Sequence, residues 1–120
     1  MISSTGLEEF KRTIRVYKNY FWDFYNAQPK KVQDKLDWTI GLVRSLKTVP
    51  KIYFDHMTGT NGLWEIRTQV GSNIFRVFCC FDEGKLVVLF NGFQKKAQKT
   101  PQKEIDKAAQ LMKDYFNNKK

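Results

Sequence analysis

The spacing of hydrophobic and polar positions changes three times along this 120-residue chain, and each change marks a new kind of element. Between Arg12 and Lys18, Ile14 and Val16 fall on one side and Arg15 and Tyr17 on the other, which predicts a first strand. The aromatic run Tyr20, Phe21, Trp22, Phe24 and Tyr25 has no clean period and reads as a short helix ending near Pro29. Beyond that proline, Val32, Leu36, Ile40, Val43 and Leu46 recur at steps of three and four, with Lys30, Lys31, Lys35 and Asp37 off the stripe. This is an amphipathic helix. From Leu63 the period becomes two: Trp64, Ile66, Thr68 and Val70 alternate with Glu65, Arg67 and Gln69. Two more strands, Asn73 to Phe81 and Lys85 to Phe93, follow the turn pairs Gly71-Ser72 and Glu83-Gly84, read as two-residue hairpin loops. Thr100 is a candidate N-cap and Pro101 suits the first helical position, ahead of the stripe Ile105, Ala108, Ala109, Met112 and Phe116. The pattern predicts a small α+β domain over residues 1–120: an antiparallel sheet with N-terminal helices on one face and a C-terminal helix. Residues 1–11 and 118–120 are expected to fray.

An apolar fraction of 42% and a charged fraction of 28% are those of a chain that folds. No apolar stretch approaches the ~20 residues that span a bilayer, and no apolar run follows a basic region near Met1, so neither membrane insertion nor export is expected. Charge adds a function class. Twenty-one Lys and Arg against 12 Asp and Glu give a formal +9, which points to a polyanionic partner. The two cysteines, Cys79 and Cys80, are adjacent and alternate in facing along a strand, so they cannot form an ordinary disulfide with each other; a reducing cytoplasm suits them. With His56 as the single histidine there is no zinc-ligand spacing, and no metal or cofactor is expected.

Register turns this pattern into chemistry. If Gly71-Ser72 is a two-residue loop, Arg67 faces Arg76 directly, and two like charges so placed favour an anion between them. Glu65 shares their face and could instead neutralise one guanidinium. With Glu83-Gly84 as the second loop, Arg76 falls opposite Asn91, and Phe75, Val77, Phe81, Leu86, Val88 and Phe90 form the core on the other face. The arginine face then carries Glu65, Arg67, Gln69, Arg76, Phe78 and Asn91, with Phe93 at its end and Lys95, Lys96 and Lys99 just beyond. Cations beside a ring suit a phosphodiester and a stacked base, although a lysine run alone also reads as a solvated loop.

The strings Gly62-Leu63-Trp64-Glu65-Ile66-Arg67, Asn73-Ile74-Phe75-Arg76-Val77-Phe78, Leu89-Phe90-Asn91-Gly92-Phe93-Gln94-Lys95-Lys96 and Gln98-Lys99-Thr100-Pro101, taken in order, resemble a HigB-type toxin of the RelE/ParE superfamily, in its phage-derived branch. The resemblance implies a RelE-like fold and the toxin of a two-gene module, with a helix-turn-helix antitoxin as partner. It also implies an endoribonuclease acting on mRNA in the ribosomal A site, without metal, in which the RNA's own 2′-hydroxyl attacks the adjacent phosphate to leave a 2′,3′-cyclic end. By position, Arg67 and Arg76 match the motif arginines and Lys95, Lys96 and Lys99 the basic segment, so these five are the catalytic candidates. Neighbouring cations lower a lysine's pKa toward the range useful for proton transfer. Glu65, Phe78, Asn91, Phe93 and His56 are candidate substrate contacts. The chain departs from better-known nucleases of the superfamily in lacking a histidine cluster and a tyrosine near the chain end of the sheet, which leaves the proton-transfer residue open. His56, placed in a loop, and Tyr53 are further possibilities for it. A ParE-like poison of a protein such as DNA gyrase and a non-catalytic RNA-binding module are the competing readings.

Overall fold

The computed structural model describes residues 10–96 and 99–119. In chain order its elements are β1 (Thr13–Val16), α1 (Tyr20–Asn26), α2 (Lys30–Ser45), β2 (Phe54–His56), β3 (Leu63–Val70), β4 (Asn73–Asp82), β5 (Leu86–Lys95) and α3 (Gln102–Asn118). The strands form one sheet in the order β1-β5-β4-β3-β2. It is mixed: β2 to β5 make an antiparallel meander, and β1 adds to β5 in parallel. The period-two signal marks β3, β4 and β5, but not β2, whose three residues are too few to display a period.

Both sheet faces are covered. Phe21 of α1 and Val32, Leu36 and Val43 of α2 pack on Phe54, Ile66, Phe75, Val77, Val87 and Leu89. On the opposite face Ala108, Leu111 and Tyr115 of α3 pack on Leu63, Phe78, Cys80, Val88 and Phe90. Leu86, Val88 and Phe90 therefore lie with α3, and not with Phe75 and Val77 as the sequence suggested. The cause is the β4–β5 loop: Asp82 pairs with Leu86, so Glu83, Gly84 and Lys85 make a three-residue connection, which reverses the facing of β5. A bulge restores it further on. Between the pairs Val77–Gly92 and Cys79–Leu89, Phe78 alone opposes both Phe90 and Asn91. Arg76 consequently faces Phe93, two residues from the expected Asn91.

Two glycines are required by geometry. Gly71 has φ of +60° in the β3–β4 turn, the left-handed region that side chains disfavour. At Gly92 a Cβ would lie 2.4 Å from the Phe24 ring, so its absence lets α1 lie close on β5. At the C-terminal helix, Pro101 occupies the cap position, and no side chain, Thr100 included, caps the first turn. The buried face of α3 is Ala108, Leu111 and Tyr115, rotated from the expected stripe, which leaves Ala109 and Phe116 outward.

Two residues expected to fray are held. The Lys11 N–H donates to the Arg44 carbonyl at 2.6 Å, and the Lys119 ammonium donates to both Asp82 carboxylate oxygens at 2.8 and 2.9 Å. Residues 1–9 and 120 lie outside the described residues.

Candidate functional site

The two-residue turn at Gly71-Ser72 closes β3 on β4 with Val70 opposite Asn73, and three pairs back Arg67 stands opposite Arg76. The Arg67 N–H points away from β4, to the Tyr53 carbonyl at 2.9 Å, so Arg67 and Arg76 form a non-hydrogen-bonded pair, the closer of the two kinds of antiparallel pairing. Both side chains rise on the α3 face, at the hairpin end that the α3 contacts leave free.

Glu65 makes the two arginines unequal. Its Oε1 accepts a hydrogen bond from Arg76 Nη1, and the same oxygen lies 3.8 Å from Arg67 Nε. Arg76 is 6% exposed, and burial holds its guanidinium pKa below the ordinary arginine value. The Arg67 side chain, 35% exposed, keeps access to solvent. Glu65 thus answers the repulsion between the facing cations internally, and of the pair Arg67 is the one able to meet a ligand directly.

Lys95 completes the group. It pairs with Ile74 at the end of β5, two residues beyond the Arg76 partner Phe93, and so shares the arginine face. Its pKa is lowered by partial burial and then by the positive charges of Arg76 and Arg67. Asp55, opposite Glu65 on β2, adds a second carboxylate that no sequence pattern had marked, because β2 itself was not foreseen. Lys96 and Lys99 are exposed on either side of residues 97 and 98, which lie outside the described residues.

Several expected substrate contacts stand elsewhere. Phe78 is fully buried with its ring centroid 5.4 Å from that of Phe93, and cannot present a face to a base. Asn91 is 3% exposed, and its Nδ2 donates to the Glu104 carbonyl at 3.3 Å and to Glu104 Oε1 at 3.2 Å, fastening the start of α3 to the sheet. Phe93 alone among these rings remains partly open on the arginine face. His56 belongs to β2 and not to a loop; it faces Trp64, on the opposite side of the sheet from Arg67 and Arg76. Tyr53 lies just ahead of β2 and borders a groove that Arg67 also lines. Among the described residues no cluster of three or more His, Cys, Asp or Glu side chains could hold a metal ion, and no helix is long and apolar enough to cross a membrane.

A five-stranded mixed sheet between two N-terminal helices and a C-terminal helix, with an open basic end, places this chain among the small RelE-like α+β domains. More particularly, it belongs to the family described as "Phage derived protein Gp49-like (DUF891)", which matches residues 23–113. Among solved structures, a chain of the archaeal RelE-RelB complex from Pyrococcus horikoshii OT3 is similar with a TM-score of 0.53 and 15% identity, over 74% of this chain and 99% of that one. That likeness establishes the fold. No curated protein matches the sequence.

Proposed function

We propose that this chain is the toxin of a toxin–antitoxin pair, an endoribonuclease of the HigB type that cuts mRNA in the ribosomal A site. The observation that carries the reading is the convergence of Arg67, Arg76 and Lys95 at the open end of the sheet, with Lys95 made more acidic by burial and by both guanidiniums. The family match and the RelE-like fold support the toxin assignment. A structure solved as a RelE-RelB complex motivates an antitoxin partner; the resemblance of the strand motifs makes it a helix-turn-helix protein, and a cytoplasmic setting follows from a ribosomal substrate.

In the proposed mechanism Arg67 binds a non-bridging oxygen of the scissile phosphate, and Arg76, fixed by Glu65, adds its field from below. The 2′-oxygen attacks phosphorus as its proton leaves, the P–O5′ bond breaks, and the products are a 2′,3′-cyclic phosphate and a 5′-hydroxyl. Two protons move, one off the 2′-hydroxyl and one onto O5′: Lys95 handles one of them, accepting from the 2′-hydroxyl when neutral or giving to O5′ when charged, and water handles the other. Lys96 and Lys99 hold the RNA backbone, and Phe93 offers an edge for stacking.

The test is in vitro cleavage of mRNA on programmed ribosomes by wild type and Arg67→Ala. The variant is expected to lose roughly 10²–10³-fold in rate, the usual cost of removing one charge-stabilising donor, and phenanthroline at constant free magnesium, which keeps ribosomes assembled, is expected to leave the wild-type rate intact. Equal rates for Arg67→Ala and wild type would misplace the site, and cleavage abolished by phenanthroline on ribosomes that stay assembled would contradict the mechanism.

A further inference from the structure

β2 ends its pairing where Phe54 meets Ile66, and beyond the single bond from the Arg67 N–H to the Tyr53 carbonyl the edge of β3 is free. Backbone direction alternates along a strand, so the N–H and C=O of Gln69 point to that open edge. A groove of ≈ 290 Å³ crosses it, lined by Arg67 and Gln69 of β3, by Ile52 and Tyr53 ahead of β2, and by Lys35 of α2. Its volume lies at the small end of the ~300–1,000 Å³ typical of ligand pockets, which suits one nucleotide and not a duplex.

The lining has a consistent chemistry. The Tyr53 ring is propped edge-on by Trp38, with centroids 5.5 Å apart and planes at 84°. Lys35 stands 4.1 Å over the Trp38 ring. Ile52, 63% exposed, turns a large aliphatic side chain to this groove. No carboxylate lines the groove. An apolar and aromatic lining that includes two cations, Arg67 and Lys35, beside free backbone donors and acceptors, matches an unpaired base with its flanking phosphates.

Resting on the ribonuclease reading above, we infer that this groove is a subsite for one unpaired nucleotide adjoining the cleaved phosphate, and that Tyr53, Ile52 and Lys35 set the sequence preference of the cut. Arg67 joins the two: it lines the groove and belongs to the reacting centre. Gln69 reads the base edge through its backbone, so side-chain substitution there leaves the reading intact.

The experiment measures binding of a 2′-O-methyl RNA hexanucleotide, which cannot be cut, together with a map of cut sites in mRNA on ribosomes. The proteins compared are wild type, Tyr53→Ala, Lys35→Gln and Lys85→Gln, the last remote in the β4–β5 loop. Tyr53→Ala is expected to weaken hexanucleotide binding about tenfold, as loss of one stacking platform does, and to flatten the sequence preference. Lys35→Gln, which leaves the Tyr53 prop in place, is expected to raise KM several-fold with kcat unchanged. Lys85→Gln should match wild type in both. If Tyr53→Ala and Lys35→Gln bind and cut with wild-type affinity and preference, the subsite is overturned while the ribonuclease reading stands. If wild type itself neither binds the hexanucleotide nor cuts mRNA, the ribonuclease reading has failed and the subsite falls with it.

Discussion

Arg67 and Arg76 face each other across β3 and β4, yet Glu65 is bonded to the second and merely near the first, so substitutions here should separate stability from activity. Glu65→Gln leaves Arg76 a buried charge without its counter-ion and is expected to cost about 3–5 kcal/mol in urea denaturation. Arg67→Gln, at a half-buried position 3.8 Å from Glu65 Oε1, should change stability by less than about 1 kcal/mol while cleavage falls. The Lys95 pKa, already lowered, supplies a pH test: if neutral Lys95 accepts the proton, the rate rises with pH and levels above its pKa. Removing the Arg67 charge in Arg67→Gln should then shift that rise to higher pH, and a profile unmoved by the substitution would exclude Lys95 from proton transfer. Cys80 offers a further check away from the site. Burial, aided by the Asp82 charge, pushes its thiol up to about 12, so the folded protein should resist alkylation at neutral pH until denaturant is added. The facing arginines were legible from sequence because a two-residue Gly-Ser turn sets their register without knowledge of anything else. Which of them Glu65 would take was not, since both lie within its reach and the enclosed one is Arg76, which on β4 is flanked by Arg67 on one side and Phe93 on the other.

At the scale of elements, the β4–β5 hairpin carries the instructive error. Glu83-Gly84 reads as a two-residue loop, but Glu83 and Gly84 take φ of +48° and +71° in a three-residue turn, and the later bulge at Phe90-Asn91 adds one more residue on β5. The two shifts cancel in facing at the far end, so Phe93 and Lys95 lie on the arginine face despite a misread loop. A bulge has no sequence signature here, because Phe90 and Asn91 would each suit a regular strand. Gly92, just past it, is the contact on which α1 closes. Gly92→Ala is expected to destabilise by about 1–3 kcal/mol through overpacking on Phe24, with partial recovery in Phe24→Leu, both read by chemical denaturation. At the other end of α3, Asp82 accepts from Tyr115 at 2.6 Å and from Lys119, and these bonds lower its pKa. The sign follows directly: the stabilisation is fully present above the ordinary carboxylate pKa and is lost as pH falls through the lowered one. The protection factors of the α3 amides, which correct for intrinsic exchange, should therefore fall in acid for wild type, and should be lower at neutral pH and less acid-dependent in Asp82→Asn.

For the whole molecule, the basic charge and the three-layer arrangement fit one account. α1 and α2 close one sheet face, α3 closes half of the other, and what remains open is the end carrying Arg67, Arg76 and Lys95. A formal charge of +9 raises the expectation of a polyanionic partner, and the resemblance in the strand motifs points to the family, which the match over residues 23–113 shows. His56 shows what one-dimensional reading misses: a residue near the motifs in sequence stands on the far face, because β2 pairs it with Trp64. Ribonuclease action in the cell is tested most directly by sequencing RNA 5′-hydroxyl and 2′,3′-cyclic phosphate ends after induction of wild type and Arg67→Ala. Growth arrest with new paired ends inside translated reading frames is expected for wild type, and neither for the variant. Arrest by wild type without new RNA ends, accompanied instead by loss of DNA supercoiling, would contradict it.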